Sequence, residues 1–497
     1  MKRWTSPDPH GEPGPRIAEV LRADIGQLQR SFGRPGGRAS AAFRILSRLL
    51  NEKRGHRRYR MKILYAPPPG LLWSFLPGDG SSASFLHRFY CREIWRERGA
   101  WARLRLLAVL LLWPVASVGT MAWFTWLNGA AIARRTGKSR IRQVLEQLRL
   151  AGGYDVLPPW YYIFELYDDA ARLRAREYLH RFETKGGLFR FVKRNQGGQR
   201  TPLADKLKFA SWCRDWGIPT APVLLAADRG EFPPELQPAG AREPRLPDAD
   251  LFVKPMSGRG GSGAQRWSFE ADGRYRDGRG TVLGHAELLA HIRKLSLSRP
   301  CIVQPRLVND PEIADLANGA LSTVRVLTIE NERGEFEATH AVLRMALGSD
   351  ATVDNFHAGG IAAPVDLRTG VLGRATDIGL RPDVGWCETH PDTHAKIFGR
   401  RLPWWPETLE LARRAHAAFA DRIVIGWDIA LLQEGPVLIE GNGGPDVDIV
   451  ERCYHEPLGN SRFGELLAFH LRRVAGGASG SALEHSRDGG FEEGATR

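Results

Sequence analysis

Gly426-Trp427-Asp428-Ile429-Ala430-Leu431-Leu432, a turn at Glu434-Gly435-Pro436, and Val437-Leu438-Ile439-Glu440-Gly441-Asn442 place two carboxylates within apolar runs on either side of a tight turn. Two apolar runs joined by a tight turn read as a β-hairpin. The hairpin brings Asp428 close to Glu440, and strand alternation puts Glu440 and Asn442 on one side. Carboxylates inside otherwise apolar strands are costly unless paired or metal-bound. Asp428, Glu440 and Asn442 thus make a site for a hard cation such as Mg²⁺, whose shell water and ligand oxygens would complete. A solvent-facing acidic hairpin is the alternative, and the apolar neighbours disfavour it.

Upstream, Lys254 ends the short apolar run LFVK (251–254) and precedes Pro255 and the loop Ser257-Gly258-Arg259-Gly260-Gly261-Ser262-Gly263. Glycines let backbone N–H groups approach phosphate oxygens, which a nearby lysine can neutralise. Taken alone, the loop reads equally well as a glycine-rich hairpin turn. It lacks the Gly-Lys-Ser/Thr ending of a P-loop. Arg325 in TVRVLTI and Arg344 in AVLRMAL lie between the lysine loop and the hairpin, where they read either as edge residues or as donors to a phosphoryl group. Asn355, in Asp354-Asn355-Phe356-His357-Ala358-Gly359-Gly360, is a further polar candidate on a loop.

Strand-like runs at 223–227, 251–254, 301–304, 324–329, 338–345, 423–432 and 437–440 interleave with helical stretches near 206–216, 285–296 and 407–420. This pattern predicts an α+β or α/β chain with mixed sheets. Asn331-Glu332-Arg333-Gly334 is expected to close a hairpin between the fourth and fifth runs. Residues 139–182 have helical spacing, and the composition from Gly476 onward suggests a frayed tail.

The 497 residues carry a net charge of +14, but residues 1–150 hold 27 Lys+Arg against 9 Asp+Glu, so the basic excess lies wholly in the N-terminal third. That distribution describes a basic anchor on a near-neutral body, with phospholipid, nucleic acid or an acidic glycan as anionic partners. Residues 1–60, with the basic run 53–60, read as a mobile tail. Leu106–Leu127 is a 22-residue stretch without formal charge and rich in tryptophan. It is long enough to meet or cross a membrane, while an apolar helix buried on the body is the alternative. Stacking aromatics are sparse beside the basic run, which argues against nucleic acid.

Five dispersed cysteines without a CxxC pair fit a reducing compartment, and no apolar leader follows the N-terminus. A cytoplasmic-face location, with membrane association through 106–127, is expected. Cys387, His390 and His394 lack the regular spacing of a zinc site and read as an exposed loop.

The order Asp205-Lys206, Gly217-Ile218-Pro219-Thr220-Ala221-Pro222, Phe252-Val253-Lys254-Pro255, the glycine loop, Ile302-Val303-Gln304-Pro305, Arg325, Arg344, Asn355 with Gly359-Gly360, Asp428 and Glu440-Gly441-Asn442 resembles an ATP-grasp domain. Gly137-Lys138-Ser139, Pro159-Trp160-Tyr161-Tyr162 and Leu166-Tyr167-Asp168 resemble its sugar-transfer-associated branch, related to α-L-glutamate ligases. The resemblance covers about residues 130–470. It implies an α+β ATP-grasp fold, two α+β subdomains clasping ATP, behind a helical and partly apolar N-terminal region. The boundaries expected are a tail at 1–60, a basic region at 61–135, a helical lead-in at 136–200, the ATP-grasp domain at 201–472 and a flexible tail at 473–497.

The same resemblance implies that Lys206 and Lys254 hold ATP phosphates, that Ser257, Gly258, Gly260, Gly261, Ser262 and Gly263 close over them, and that Gln304 meets adenine. Arg325, Arg344 and Asn355 would serve the transferred phosphoryl group, and Asp428, Glu440 and Asn442 would hold Mg²⁺. Pro305-Arg306 replaces the acidic residue that usually meets the ribose, leaving Asp310 or Glu312 for that role. The implied reaction joins a carboxylate to an amine through an acyl phosphate, with an acidic sugar or glycan precursor as a substrate. A phosphotransferase and a membrane-associated ATP-binding protein without turnover are the rival readings.

Overall fold

The computed structural model describes residues 78–97, 99–154, 156–194, 201–236, 244–257, 263–348, 353–354, 356, 359–380 and 385–484, with side chains except at 97, 100–116, 186, 235 and 477–484. The expected tail at 1–60 lies outside the described residues.

Two antiparallel sheets form the body. The smaller joins β1 (Leu225–Ala227), β2 (Leu251–Pro255), β3 (Gln265–Phe269), β4 (Tyr275–Asp277), β5 (Val282–Leu283) and β6 (Cys301–Pro305) in the order β1-β6-β2-β3-β4-β5. The larger joins β7 (Thr323–Glu330), β8 (Phe336–Met345), β9 (Ile361–Pro364), β10 (Ala375–Thr376), β11 (Trp386–Cys387), β12 (Val424–Leu432) and β13 (Gly435–Asn442) in the order β11-β10-β9-β8-β7-β12-β13. The hairpin turn expected at 331–334 is present, with Gly334 at φ +80 and Asn331 N–H bonded to Glu335 O. The segment leading into β1 touches the larger sheet where Leu438 N–H on β13 donates to Pro219 O at 2.9 Å beside the parallel bridge Thr220–Leu438.

The described helices are α1 (Ser82–Glu97), α2 (Ala100–Thr136), α3 (Arg140–Tyr154), α4 (Lys206–Asp215), α5 (His285–Ser296), α6 (Trp405–Ala418), α7 (Val447–Tyr454) and α8 (Arg462–Glu484), besides several of six residues or fewer. Asp205 caps α4 by accepting from Leu207 and Lys208 N–H, so the helix begins at Lys206. Alternation along β12 sends Trp427, Ile429 and Leu431 into a core with Phe209, Trp405 and Phe419, and leaves Asp428 on the other face. A second core, around Trp267, Tyr275, Leu288 and Ile292, packs α5 on the smaller sheet.

The stretch 139–182 is not one helix. α3 ends at Tyr154 after Gly152-Gly153, and Pro158-Pro159 start a new short helix, because proline suits a first turn and not an interior. α2 contains the apolar stretch 106–127. Residues 106–116 of that stretch lie outside the described side chains, and among the described residues no helix is long and apolar enough to cross a membrane. α8 carries helical backbone on to Glu484, past the position where fraying was expected, and 485–497 lie outside the described residues.

Buried polar contacts fasten the helical lead-in to the body. Glu451 accepts from the N–H groups of Leu179 and Leu458. Arg452, 2% exposed, pairs with Glu165 at 2.9 Å and donates to Ile163 O and Thr376 Oγ1. Replacing Arg452 with Met leaves Glu165 buried without this partner, so the unfolding free energy read by denaturant titration falls by about 3–5 kcal/mol. An unchanged midpoint would remove Arg452 from the fastening.

Candidate active site

The antiparallel register builds the site. Asp428 in β12 sits directly opposite Glu440 in β13 on one side and Arg325 in β7 on the other. Like charges directly opposite each other destabilise a sheet, so the Asp428–Glu440 pair needs cations near it. Arg325 supplies one through a two-pronged grip, with Nε on Oδ1 and Nη2 on Oδ2 at 3.0 Å. Arg344, reaching across from β8, brings Nη2 to 2.9 Å from Asp428 Oδ2. Asp428 is 2% exposed, and its neighbour Gly426 leaves room for this packing, since a Cβ there would stand 2.8 Å from Pro445 Cβ and 3.1 Å from Arg325 Cδ.

Electrostatics follow from that geometry. Burial alone would raise the Asp428 carboxyl, but the two guanidiniums outweigh it and hold it at about 2. Burial and the adjacent Asp428 charge push Glu440 up, and Asn442 Nδ2 donates to Glu440 Oε1 at 3.4 Å. Lys254, on β2, is pulled down by burial to about 8, with Lys206 adding repulsion and Glu440 offsetting part of both. Lys206, Lys254, Glu440, Asp428, Arg325 and Arg344 are therefore one electrostatic chain spanning the two sheets. Its lysine end suits phosphates, and its arginine end suits charge that develops during transfer.

Asn442 and the opposed carboxylates form an oxygen set of the hardness Mg²⁺ prefers, and a cation between Asp428 and Glu440 would relieve the repulsion that raises Glu440. Among the described residues no three His, Cys, Asp or Glu side chains gather for a metal, so such an ion would take most of its ligands from water and phosphate. The loop expected to be exposed at 387–394 is so only in part: His394 is exposed, but His390 is buried with Nε2 at 3.0 Å from Ala346 O.

The other expected residues fall as follows. Ser257 is exposed at the start of the glycine loop, and Gly263 ends it with φ +86. Gly258, Gly260, Gly261, Ser262 and Asn355 lie outside the described residues. Gln304 is buried in β6, with its amide donated to Ala221 O at 2.9 Å. Asp310 is buried and accepts from Trp404 Nε1 and Glu312 N–H, leaving Glu312 as the exposed carboxylate of the two. Arg306 pairs with Asp250 at 2.8 Å.

Sequence reasoning missed Asp354, a buried carboxylate 3.3 Å from Arg344 that also accepts from Thr323 N–H and Oγ1–H. Burial raises it, against the pull of Arg344. It also missed Asp446, which follows β13, influences Arg325, and pairs with Arg181 at 2.5 Å and with Lys185 from the lead-in. Asp354 stands immediately before Asn355 and Asp446 four residues past Asn442, on loops where no periodicity marks them.

Residues 190–462, more than half of the chain, match the sugar-transfer associated ATP-grasp family. The chain belongs to this family. Its α+β fold with two antiparallel sheets is the ATP-grasp fold that the resemblance implied. Solved structures with similarity include the D-alanine–D-alanine ligase from Bacillus anthracis, at 12% identity over 55% of this chain and 68% of that one with a TM-score of 0.30. Others are the L-amino acid ligase from Bacillus licheniformis, at 11% identity over 54% and 48% with a TM-score of 0.30, and the N5-carboxyaminoimidazole synthetase from Staphylococcus aureus complexed with ADP, at 10% over 50% and 46% with 0.28. The chain spans about half the length of the synthetases it is similar to. No curated protein matches it.

Burial gives Lys254 a pH signature that a nucleotide phosphate held against it would share. Its ammonium is present below about 8 and is lost above that value. ADP affinity measured by titration calorimetry should therefore fall as pH rises through this range, by up to about tenfold per unit. In Lys254→Arg, which keeps its charge, the fall should disappear.

Proposed function

We propose that this protein is a Mg-ATP-dependent ligase joining a carboxylate to an amine through an acyl phosphate, in polysaccharide or cell-surface glycan biosynthesis. The observation that supports it best is the convergence of Arg325 and Arg344 on Asp428, at the far end of a charge chain from Lys206 and Lys254. A carboxylate oxygen attacks the γ-phosphorus, the bond to the β–γ bridging oxygen breaks, and ADP leaves. The amine nitrogen then attacks the acyl carbon, phosphate departs, and the nitrogen loses a proton.

In this reading Lys206 and Lys254 hold phosphate oxygens, with residues 257–263 over them. The strand end after Gln304 meets adenine, and Glu312 is available to the ribose. Arg344 is shared between Asp428 and Asp354, so it is held in place before the substrate arrives and can meet the transferred group with little reorganisation. Asn355, next to Asp354, serves the same group. Mg²⁺, held through Glu440, Asn442 and Asp428, would withdraw charge from the phosphates. The family's link to sugar transfer supports an acidic sugar or glycan precursor as one substrate.

Purified protein supplied with Mg-ATP and a panel of uronic acids and amino acids should release ADP and phosphate together with one pair. Arg344→Met should lower kcat for that pair by about 10²–10³-fold with little change in the KM for ATP. Phosphate retained on the product would instead make the protein a phosphotransferase, and no release with any pair would contradict the ligase reading.

A further inference from the structure

The helical hairpin of α2 and α3 has one face committed to the protein and one that is not. On α2, Thr125 meets Tyr162 Oη and Gln147, and Asn128 donates to Leu380 O, which fixes the inner side. On α3, Gln143, Glu146, Gln147 and Leu150 are the buried positions. The opposite sides of both helices carry large apolar residues in the open. α2 presents Val118, Trp123 and Trp126, the last 54% exposed, with the two indole centroids 5.6 Å apart. α3 presents Ile141, Leu145 and Leu148 at a spacing of four and three residues, and Ile141 is 75% exposed. Such a spacing is one stripe of a helix.

Charge identifies what would cover that face. Residues 100–154 contain eight Lys or Arg and a single acid, Glu146. Glu146 is buried and ion-paired with Lys138, so it subtracts little from the outer side. Arg134, Arg135, Arg140, Arg142 and Arg149 are all exposed around the apolar stripe. Paired tryptophans, an aliphatic stripe and a surrounding set of arginines match the depth profile of an anionic bilayer surface, where indoles settle at the headgroup level, aliphatics enter the acyl boundary and guanidiniums meet phosphates. A protein partner for a face of this charge would need a matching acidic surface. The rest of this chain, residues 1–99 and 155–497, carries 62 Lys+Arg against 55 Asp+Glu and so offers no net acidic charge to meet it, which disfavours a second copy.

We propose that the outward face of the α2–α3 hairpin docks on the headgroup region of an anionic membrane, lying on it with the inner face still packed on the body. This contact is independent of the ligase reading, because none of its residues belongs to the candidate site.

The test is co-sedimentation of the full chain with phosphatidylcholine vesicles and with vesicles in which a third of the lipid is phosphatidylglycerol. The wild-type protein should bind the anionic vesicles more strongly, and binding should weaken as salt is added. Trp126→Ser with Ile141→Ser and Leu145→Ser should lower partitioning by about tenfold or more, with circular dichroism unchanged. Should that variant misfold, Arg140→Glu with Arg149→Glu, at exposed positions, should lower anionic binding alone. If a folded variant binds as the wild type does, the attraction comes from other basic stretches and the proposal falls. It falls equally if vesicles are not bound at all, and light scattering of wild type and variant then tells whether a second copy covers the face.

Discussion

A carboxylate held between two guanidiniums in the middle of a sheet is the constraint on which this molecule turns. Asp428 cannot occupy β12 alone, because a buried charge without partners is far more expensive than a strand can bear. Its partners come from the strands the register supplies, Arg325 from β7 and Arg344 from β8, while Glu440 from β13 adds a second carboxylate directly opposite it. The sheet order β8-β7-β12-β13 thus assembles the charge cluster, and the cluster in turn penalises any slip of register, which would send Asp428 into the apolar core beside Trp427.

The same cluster divides labour between the two sheets. Lysines at the smaller sheet's side face Glu440, and arginines on the larger sheet face Asp428. Asp354 and Asp446 then fix the arginine end from outside, one through Arg344 and the other beside Arg325. The lead-in helices belong to this arrangement too, since Arg181 and Lys185 meet Asp446 and Arg452 ties Ile163 and Glu165 to α7. An ATP-grasp domain is therefore not simply appended to a helical segment, because ion pairs of that segment reach the edge of the site.

Much of this was legible in the sequence because charges stood where alternation forbids them. Asp428, Glu440, Arg325 and Arg344 interrupt apolar runs; Asp428, Arg325 and Arg344 prove buried or nearly so and ion-paired, and Glu440 is half-buried opposite Asp428. Strands of two or three residues, such as β4, β5, β10 and β11, are too short to carry a period and were not foreseen. The segment 139–182 is helical as its local spacing indicates, but Gly152-Gly153 and Pro158-Pro159 cut it into separate helices. The outward apolar stripe on α3 was hidden by the polar and charged residues between and beside its members, and only the packed hairpin reveals that Ile141, Leu145 and Leu148 face away from their neighbours.

The central claim is that the Asp428–Glu440 hairpin is the metal end of a nucleotide site. Titration calorimetry of ATP, with and without Mg²⁺, on the wild type and on Glu440→Gln measures that coupling without knowledge of the other substrates. Mg²⁺ should strengthen ATP binding to the wild type by about tenfold or more and leave Glu440→Gln with little gain. An equal Mg²⁺ effect in both proteins would contradict the account.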